Sequence, residues 1–143
     1  MILEKADVED AADILHLLKR NRLPLAGLTD HLATTIVARQ DDRIVGSAAL
    51  EIYRGAALLR SVAVDPALQR HGLGRELTEA ALRLAREHGV ADVYLLTTTA
   101  ATFFSRFGFA EMTRGDVPSA VKASVEFTSA CPSSAIVMRM AIV

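Results

Sequence analysis

The chain has 143 residues, 16 of them basic and 17 acidic, for a net charge of −1. That balance excludes the basic stripe on which nucleic-acid binders rely. The length suits one domain, residues 1–143, without room for a second core. Hydrophobic residues make up 51% of the chain and aromatics only 5%, so a globular core has to be built from Ala, Leu and Val.

The single cysteine, Cys131, has no intrachain disulfide partner, and no Cys/His cluster suggests a metal site. Met1–Lys5 lack the basic start and apolar run of a signal peptide. No apolar stretch approaches the ~20 residues of a membrane span. The expectation is a cytoplasmic protein with no membrane and no nucleic-acid partner.

Ile2–Ala6 reads as a first strand. Asp7 is a helix N-cap, followed by Val8, Ala11, Ala12, Ile14, Leu15 and Leu18 at helical spacing. Leu23–Leu32 is a loop or broken helix, broken by Pro24 and Gly27, and so leucine-rich that it should fold over something. Thr35–Arg39 and Arg43–Tyr53 form a hairpin around Gln40-Asp41-Asp42. Leu58–Asp65 is the next strand, stopped by Pro66. Gly72–His88 is a helix with Leu73, Leu77, Ala81, Leu84 and Ala85 on one face and Gly89 at its end. Val93–Thr98 is nearly all apolar, as in a strand covered on both faces. Ala100–Phe107 is a short helix, Phe109–Met112 a strand, Val117–Val121 a helical turn and Ala135–Ala141 the last strand. The order β-α-(α)-β-β-β-α-β-α-β-β describes an α+β fold with a mixed central sheet.

The informative stretch is Val62–Arg75, which passes from a strand through a loop into a helix start. Backbone N–H groups there lack intrahelical partners, and the helix dipole adds partial positive charge. Gly72 and Gly74 let a bulky anion approach, and Arg70 and Arg75 add charge, so the segment suits a pyrophosphate. A dinucleotide fingerprint would need a third glycine where Leu77 stands, and a P-loop needs Gly-Lys-Ser/Thr. The plain alternative is a helix that begins with two glycines and binds nothing.

Val64-Asp65-Pro66 followed by Gln69-Arg70-His71-Gly72-Leu73-Gly74 resembles the acetyl-CoA signature of the GCN5-related N-acetyltransferase (GNAT) family. Leu95-Leu96-Thr97-Thr98 with Phe103-Phe104-Ser105-Arg106-Phe107-Gly108-Phe109 resembles a second block of that family. The resemblance implies a GNAT fold: a mixed, mostly antiparallel sheet of about seven strands, splayed at the fourth and fifth and flanked by helices. It implies acetyl-CoA as co-substrate, with the backbone of Val62 and Val64 along the pantetheine arm. Gln69, Arg70, His71, Gly72, Leu73, Gly74 and Arg75 would surround the pyrophosphate, and Phe104 would pack against the cofactor. An amine would attack the thioester directly in a ternary complex, with positioning and proton handling left to the enzyme. Homodimers are common among its members.

Two departures from the family bear on the chemistry. Phe104 stands where many relatives place a tyrosine acid, so the general acid is unassigned. The carboxylate some relatives carry early in the fourth strand falls at Leu58. Glu51 on the preceding strand is the nearest candidate base, against the alternative of an exposed strand residue.

Leu95–Thr99 with Phe103–Phe109, and the tail segments Asp116–Val121 and Ser134–Met138, also resemble the acetyltransferase domain of N-acetylglutamate synthases. Those synthases usually carry an arginine where Pro132 stands. Leu58–Val64 with Glu126–Ser134 is more similar to small acetyltransferases associated with arsenic resistance. This resemblance implies a glutamate-like amine, an arsenical analogue included. Arg60 is either paired structurally or waits for a substrate carboxylate, and two positions before Val62 it should share that residue's face. Thr97, Thr98 and Ser134 are candidate hydroxyl contacts, and His31 could cover the acceptor site. The rival readings are a non-catalytic acyl-CoA sensor, favoured by Phe104, and a peptide or protein N-acetyltransferase.

Overall fold

A computed structural model describes residues 1–142. Its strands are β1 Ile2–Lys5, β2 Thr35–Gln40, β3 Arg43–Tyr53, β4 Ala56–Val64, β5 Asp92–Thr97, β6 Ala110–Met112 and β7 Ile136–Ala141. Its helices are α1 Ala11–Arg20, α2 Leu73–Glu87, α3 Ala101–Ser105 and α4 Ser119–Lys122. The strands form one seven-stranded sheet in the order β1-β2-β3-β4-β5-β7-β6. Every pairing is antiparallel except β4 with β5. The α+β expectation and the chain order hold.

Local chemistry explains the elements. Asp7 and Asp10 form a reciprocal capping box, their side chains and backbones satisfying each other at the first turn. That turn is a tight 3₁₀ piece, Val8–Asp10, and α1 follows it. The β2–β3 turn puts Asp41 and Asp42 at φ +51° and +62°, a left-handed geometry that short polar side chains tolerate. Gly89 at φ +72° closes α2.

The two faces of the sheet are covered by different helices. Leu73, Leu77, Ala81, Leu84 and Ala85 of α2 pack on Ala48, Leu50, Leu59 and Leu95. On the opposite face Ile14, Leu17 and Leu18 of α1 pack with Leu28 on Val37, Ala49 and Ala63. A smaller cluster joins Leu58, Tyr94 and Val137 to Val117 and Val121 of the tail. Leu28–Thr34 forms 3₁₀ turns against the sheet, as a leucine-rich loop that folds over its neighbours. Among the described residues, no helix is long and apolar enough to cross a membrane, and no cluster of His, Cys, Asp and Glu could hold a metal ion.

Candidate active site

Strand β4 carries a bulge that shapes the site. Ala49 faces Arg60 and Ser47 faces Ala63, so Ala48 alone stands opposite Ser61 and Val62. Ser61 takes φ +58°, and its carbonyl accepts a hydrogen bond from the Ser47 hydroxyl at 2.8 Å. An extra residue of this kind bends and twists a strand. Register between β4 and β5 covers only Ala56–Leu58 against Asp92–Tyr94, although β4 runs on to Val64 and β5 to Thr97. Between the diverging ends lies a cleft of about 1150 Å³.

The bulge also corrects one expectation. Arg60 shares the α1 face with Ala49 and Ala63, whereas Val62 packs with the α2 cluster. The two do not share a face, because the inserted residue reverses the alternation between them.

One wall of the cleft is backbone. The Asp65 N–H donates to the Val45 carbonyl at 2.8 Å, so by strand alternation the backbone groups of Val62 and Val64 face away from β3, towards the opening. The Gln69 side-chain amide donates to the Val64 carbonyl at 3.1 Å, which leaves the Val64 N–H as its group for a ligand. At the mouth, α2 starts at Leu73 after Arg70 at φ +70° and Gly72 at φ +86°. Among the described residues no side chain caps this helix. Its first N–H groups and dipole therefore point at the cleft, an arrangement suited to a phosphate. A Cβ added at Gly74 would stand 3.6 Å from Phe103 and 3.7 Å from Val64, inside this cradle. The residues present thus fit the diphosphate and pantetheine parts of acetyl-CoA.

Gln69, Arg70, Gly72, Gly74, Arg75 and Phe104 all line the cleft with Val62 and Val64. Phe104 is buried, edge-on to Phe103 at 5.0 Å and Phe109 at 5.9 Å between centroids. Leu73 buries its side chain in the core, so only its backbone can serve the cradle. His71 is exposed and outside the lining, as is Ser134. Thr97 and Thr98 line the cleft, but the Thr97 hydroxyl accepts from the Ala100 N–H at 2.9 Å and so anchors α3.

Beyond the pantetheine wall sits a buried charge cluster. The Arg60 side chain has no exposed surface. Its Nη1 meets Glu51 Oε2 at 3.0 Å, its Nε donates to the Ser61 hydroxyl at 3.1 Å, and its Nη2 donates to the Pro24 carbonyl at 3.3 Å. A second carboxylate, Glu126, lies 3.6 Å from Nη2. Gly27 lies over this group at φ +82°, where a Cβ would come within 2.7 Å of Val125 and 3.2 Å of Arg60. The structure therefore shows Arg60 paired.

Glu51 is buried, not an exposed strand residue. Burial alone would raise its carboxyl, but Ser124, Tyr53, Arg60 and the His31 ring outweigh it and hold the group below the usual carboxylate range. The Tyr53 hydroxyl donates to Glu51 at 2.5 Å, and burial beside that charge pushes the phenol up to about 12. His31 Nε2 is 3.8 Å from Glu51. Neither His31 nor Glu51 lines the cleft, so both lie behind Arg60. Glu51 is a counter-ion there.

Sequence reasoning used Glu126 and Cys131 only as part of the Glu126–Ser134 resemblance and gave neither a role, yet both line the cleft. Glu126 opens a single π-helical turn, Glu126–Ala130. The Cys131 thiol donates to Glu126 Oε1 at 3.5 Å. Arg114 ties this turn down, stacking 5.5 Å from the Phe127 ring and donating to the carbonyls of Pro132, Ser133 and Ala135. The available signal was an acidic residue between Val125 and Phe127, at the head of the Glu126–Ser134 segment.

The acetyltransferase (GNAT) domain family matches residues 31–111, more than half of the chain. The chain belongs to this family. It is 37% identical over 71 residues to an amino-acid acetyltransferase of Mycobacterium tuberculosis, covering 49% of this chain and 40% of that protein. It spans less than two-thirds of the length of the curated relatives it matches. Among solved structures, Rv2747 of M. tuberculosis, in complex with CoA and NLQ, superposes with a TM-score of 0.83 at 24% identity over the whole of both chains. An N-acetylglutamate synthase of Neisseria gonorrhoeae, complexed with coenzyme A and N-acetyl-glutamate, gives 0.85 at 19% identity, over 99% of this chain and 35% of that one. These likenesses confirm the GNAT fold, including the parallel β4–β5 pair.

Proposed function

We propose that residues 1–143 work as one N-acetyltransferase domain that takes acetyl-CoA as co-substrate. The acceptor is the amine of a small acidic amino acid, glutamate or a glutamate-like analogue, an arsenic-bearing one included. The observation that carries this reading is the cleft between the separated ends of β4 and β5, with the uncapped start of α2 at its mouth. Relatives named for amino-acid acetylation and for complexes with CoA support it.

When bound, acetyl-CoA supplies an activated acyl group. The backbone edges of Val62 and Val64 hold it like an added strand, and Leu73, Gly74 and Arg75 present N–H groups to its diphosphate. Phe103 and Phe104 make an apolar wall that keeps water from the reacting atoms. Orientation of the two substrates supplies most of the acceleration in such a ternary complex. Phe104 cannot donate a proton, so that role falls elsewhere. Arg60 can receive an acceptor carboxylate by exchanging Glu126, the looser of its two carboxylate partners at 3.6 Å against 3.0 Å.

The test is release of free thiol from acetyl-CoA across glutamate, aspartate, phosphinic and arsinic amino acids, polyamines and short peptides. Release with the acidic amino acids supports the proposal. Release only with peptides favours the protein-acetyltransferase reading, and tight cofactor binding with no release anywhere favours a sensor.

A further inference from the structure

Glu126 is a buried carboxylate in the wall of the cleft, and the substrate reading above gives it no chemistry beyond yielding Arg60. Its side chain is 5% exposed, it lines the cleft together with Phe104, Arg60 and Cys131, and it is held from several sides. Arg60 of β4 approaches at 3.6 Å. The Cys131 thiol donates to Oε1 at 3.5 Å, and the Ser124 hydroxyl accepts from the Glu126 backbone N–H at 3.2 Å. Glu51 of β3, with Tyr53 and His31 beside it, stands on the far side of Arg60. Arg60 is thus shared unequally between two carboxylates, and Glu126 is the one left with spare acceptor capacity and a path to the cleft.

We propose that Glu126 is the proton acceptor for the incoming amine, with Cys131 as its positioning residue. The inference rests on the N-acetyltransferase reading. The acceptor enters as an ammonium and gives one proton to the Glu126 carboxylate. The free amine nitrogen then forms its bond to the thioester carbonyl carbon. As the carbon–sulfur bond breaks, its electron pair leaves with sulfur and the second nitrogen proton passes to it. The products are the N-acetyl compound, the free thiol and a protonated Glu126, which returns its proton to water.

Charge and burial suit this role. Burial, and secondarily the nearby Glu51 charge, lift the Glu126 carboxyl above the usual carboxylate range, against the opposing pull of Arg60 and Cys131. A carboxylate so raised is a stronger base at neutral pH than an exposed one. Burial pushes the Cys131 thiol up to about 12, so it stays protonated and keeps donating. An acceptor carboxylate that draws Arg60 away would strengthen the base further, coupling recognition to chemistry.

The experiment measures thiol release against pH for the wild type, Glu126→Gln and Cys131→Ala, using two acidic acceptors of different amine pKa. Calorimetric acetyl-CoA binding serves as the fold control. The wild type should show an acid limb at a pH that does not move with the amine. Glu126→Gln should lose about 100-fold in kcat and the limb itself, with acetyl-CoA affinity kept. Cys131→Ala, which removes a donor to the carboxylate, should shift the limb to higher pH, and this arm decides if Glu126→Gln does not fold. A limb that follows the amine's pKa, near-normal kcat in Glu126→Gln, or an unmoved limb in Cys131→Ala overturns the proposal. A wild type whose thiol release is no faster with any amine than without one overturns both this proposal and the N-acetyltransferase reading beneath it.

Discussion

Arg60→Ala is expected to damage the fold before it damages recognition. The Arg60 side chain is wholly buried, and Glu51, 3.0 Å away, is 1% exposed. Removing the guanidinium leaves the buried Glu51 and Glu126 carboxylates without the counter-charge they share. Breaking one partner of a buried pair costs about 3–5 kcal/mol, a large share of the roughly 5–15 kcal/mol that holds a domain together. At this chain length each kcal/mol corresponds to roughly 3 °C, so a fall of about 10–15 °C in melting temperature is expected at pH 8. The pH dependence gives a second handle. Without Arg60, the folded-state pKa of Glu126, already raised by burial, loses its main opposing charge and rises further above its unfolded value. The penalty then exists above the unfolded carboxyl pKa and fades as the group protonates, so the deficit should shrink at pH 5. Arg60→Met combined with Glu51→Gln and Glu126→Gln, which removes all three charges, should recover much of the loss. The assay is thermal melting by circular dichroism at the two pH values. An Arg60→Ala protein that melts within about 3 °C of the wild type at pH 8 would refute the reasoning and mean that water reaches the cluster.

Gly27→Ala should cost about 2 kcal/mol in chemical denaturation, because a left-handed φ disfavours a side chain and the new Cβ would lie 2.7 Å from Val125; an unchanged midpoint would show that the loop over Arg60 shifts freely. Asp65 accepts from the Ala67 N–H at 2.9 Å and from Arg20 and Arg43 at 3.2 and 3.1 Å. Led by the Ala67 bond, these contacts hold its carboxyl below the usual range against burial. That stability is present above the unfolded pKa and is lost as pH falls through the lower folded value. Asp65→Asn should therefore cost about 1–2 kcal/mol at pH 7, discounted for the exposed arginines, with the gap to wild type closing below about pH 4; a constant gap down to pH 2 would contradict it.

Much of the fold was legible because its signals are local. The Asp7 cap, the Gln40-Asp41-Asp42 turn, the apolar face of α2 and the Gly72-Leu73-Gly74 start each depend on residues within a few positions of one another. The site depended on a feature with no local signature. A single residue inserted at Ser61 reversed the alternation of β4, so the expected pairing of Arg60 with Val62 on one face failed. Burial of Glu51 followed from the tail around Ser124 and Glu126 and from the Gly27 loop closing over Arg60, both long-range effects. Glu126 was hidden for a similar reason: long-range contacts, among them those of Arg114 and Phe127, turn a polar-looking tail into a cleft wall.

The central claim is that acetyl-CoA occupies the β4–β5 cleft with its diphosphate on the start of α2. The most direct measurement is calorimetric titration of acetyl-CoA into the wild type and into the Arg70→Glu/Arg75→Glu variant. Both side chains are exposed at the cleft mouth, so the variant should keep its melting temperature. The account expects one site per chain in the wild type and binding at least about tenfold weaker in the variant, a loss of roughly 1.4 kcal/mol. No binding to the wild type, or equal binding to both proteins, would contradict it.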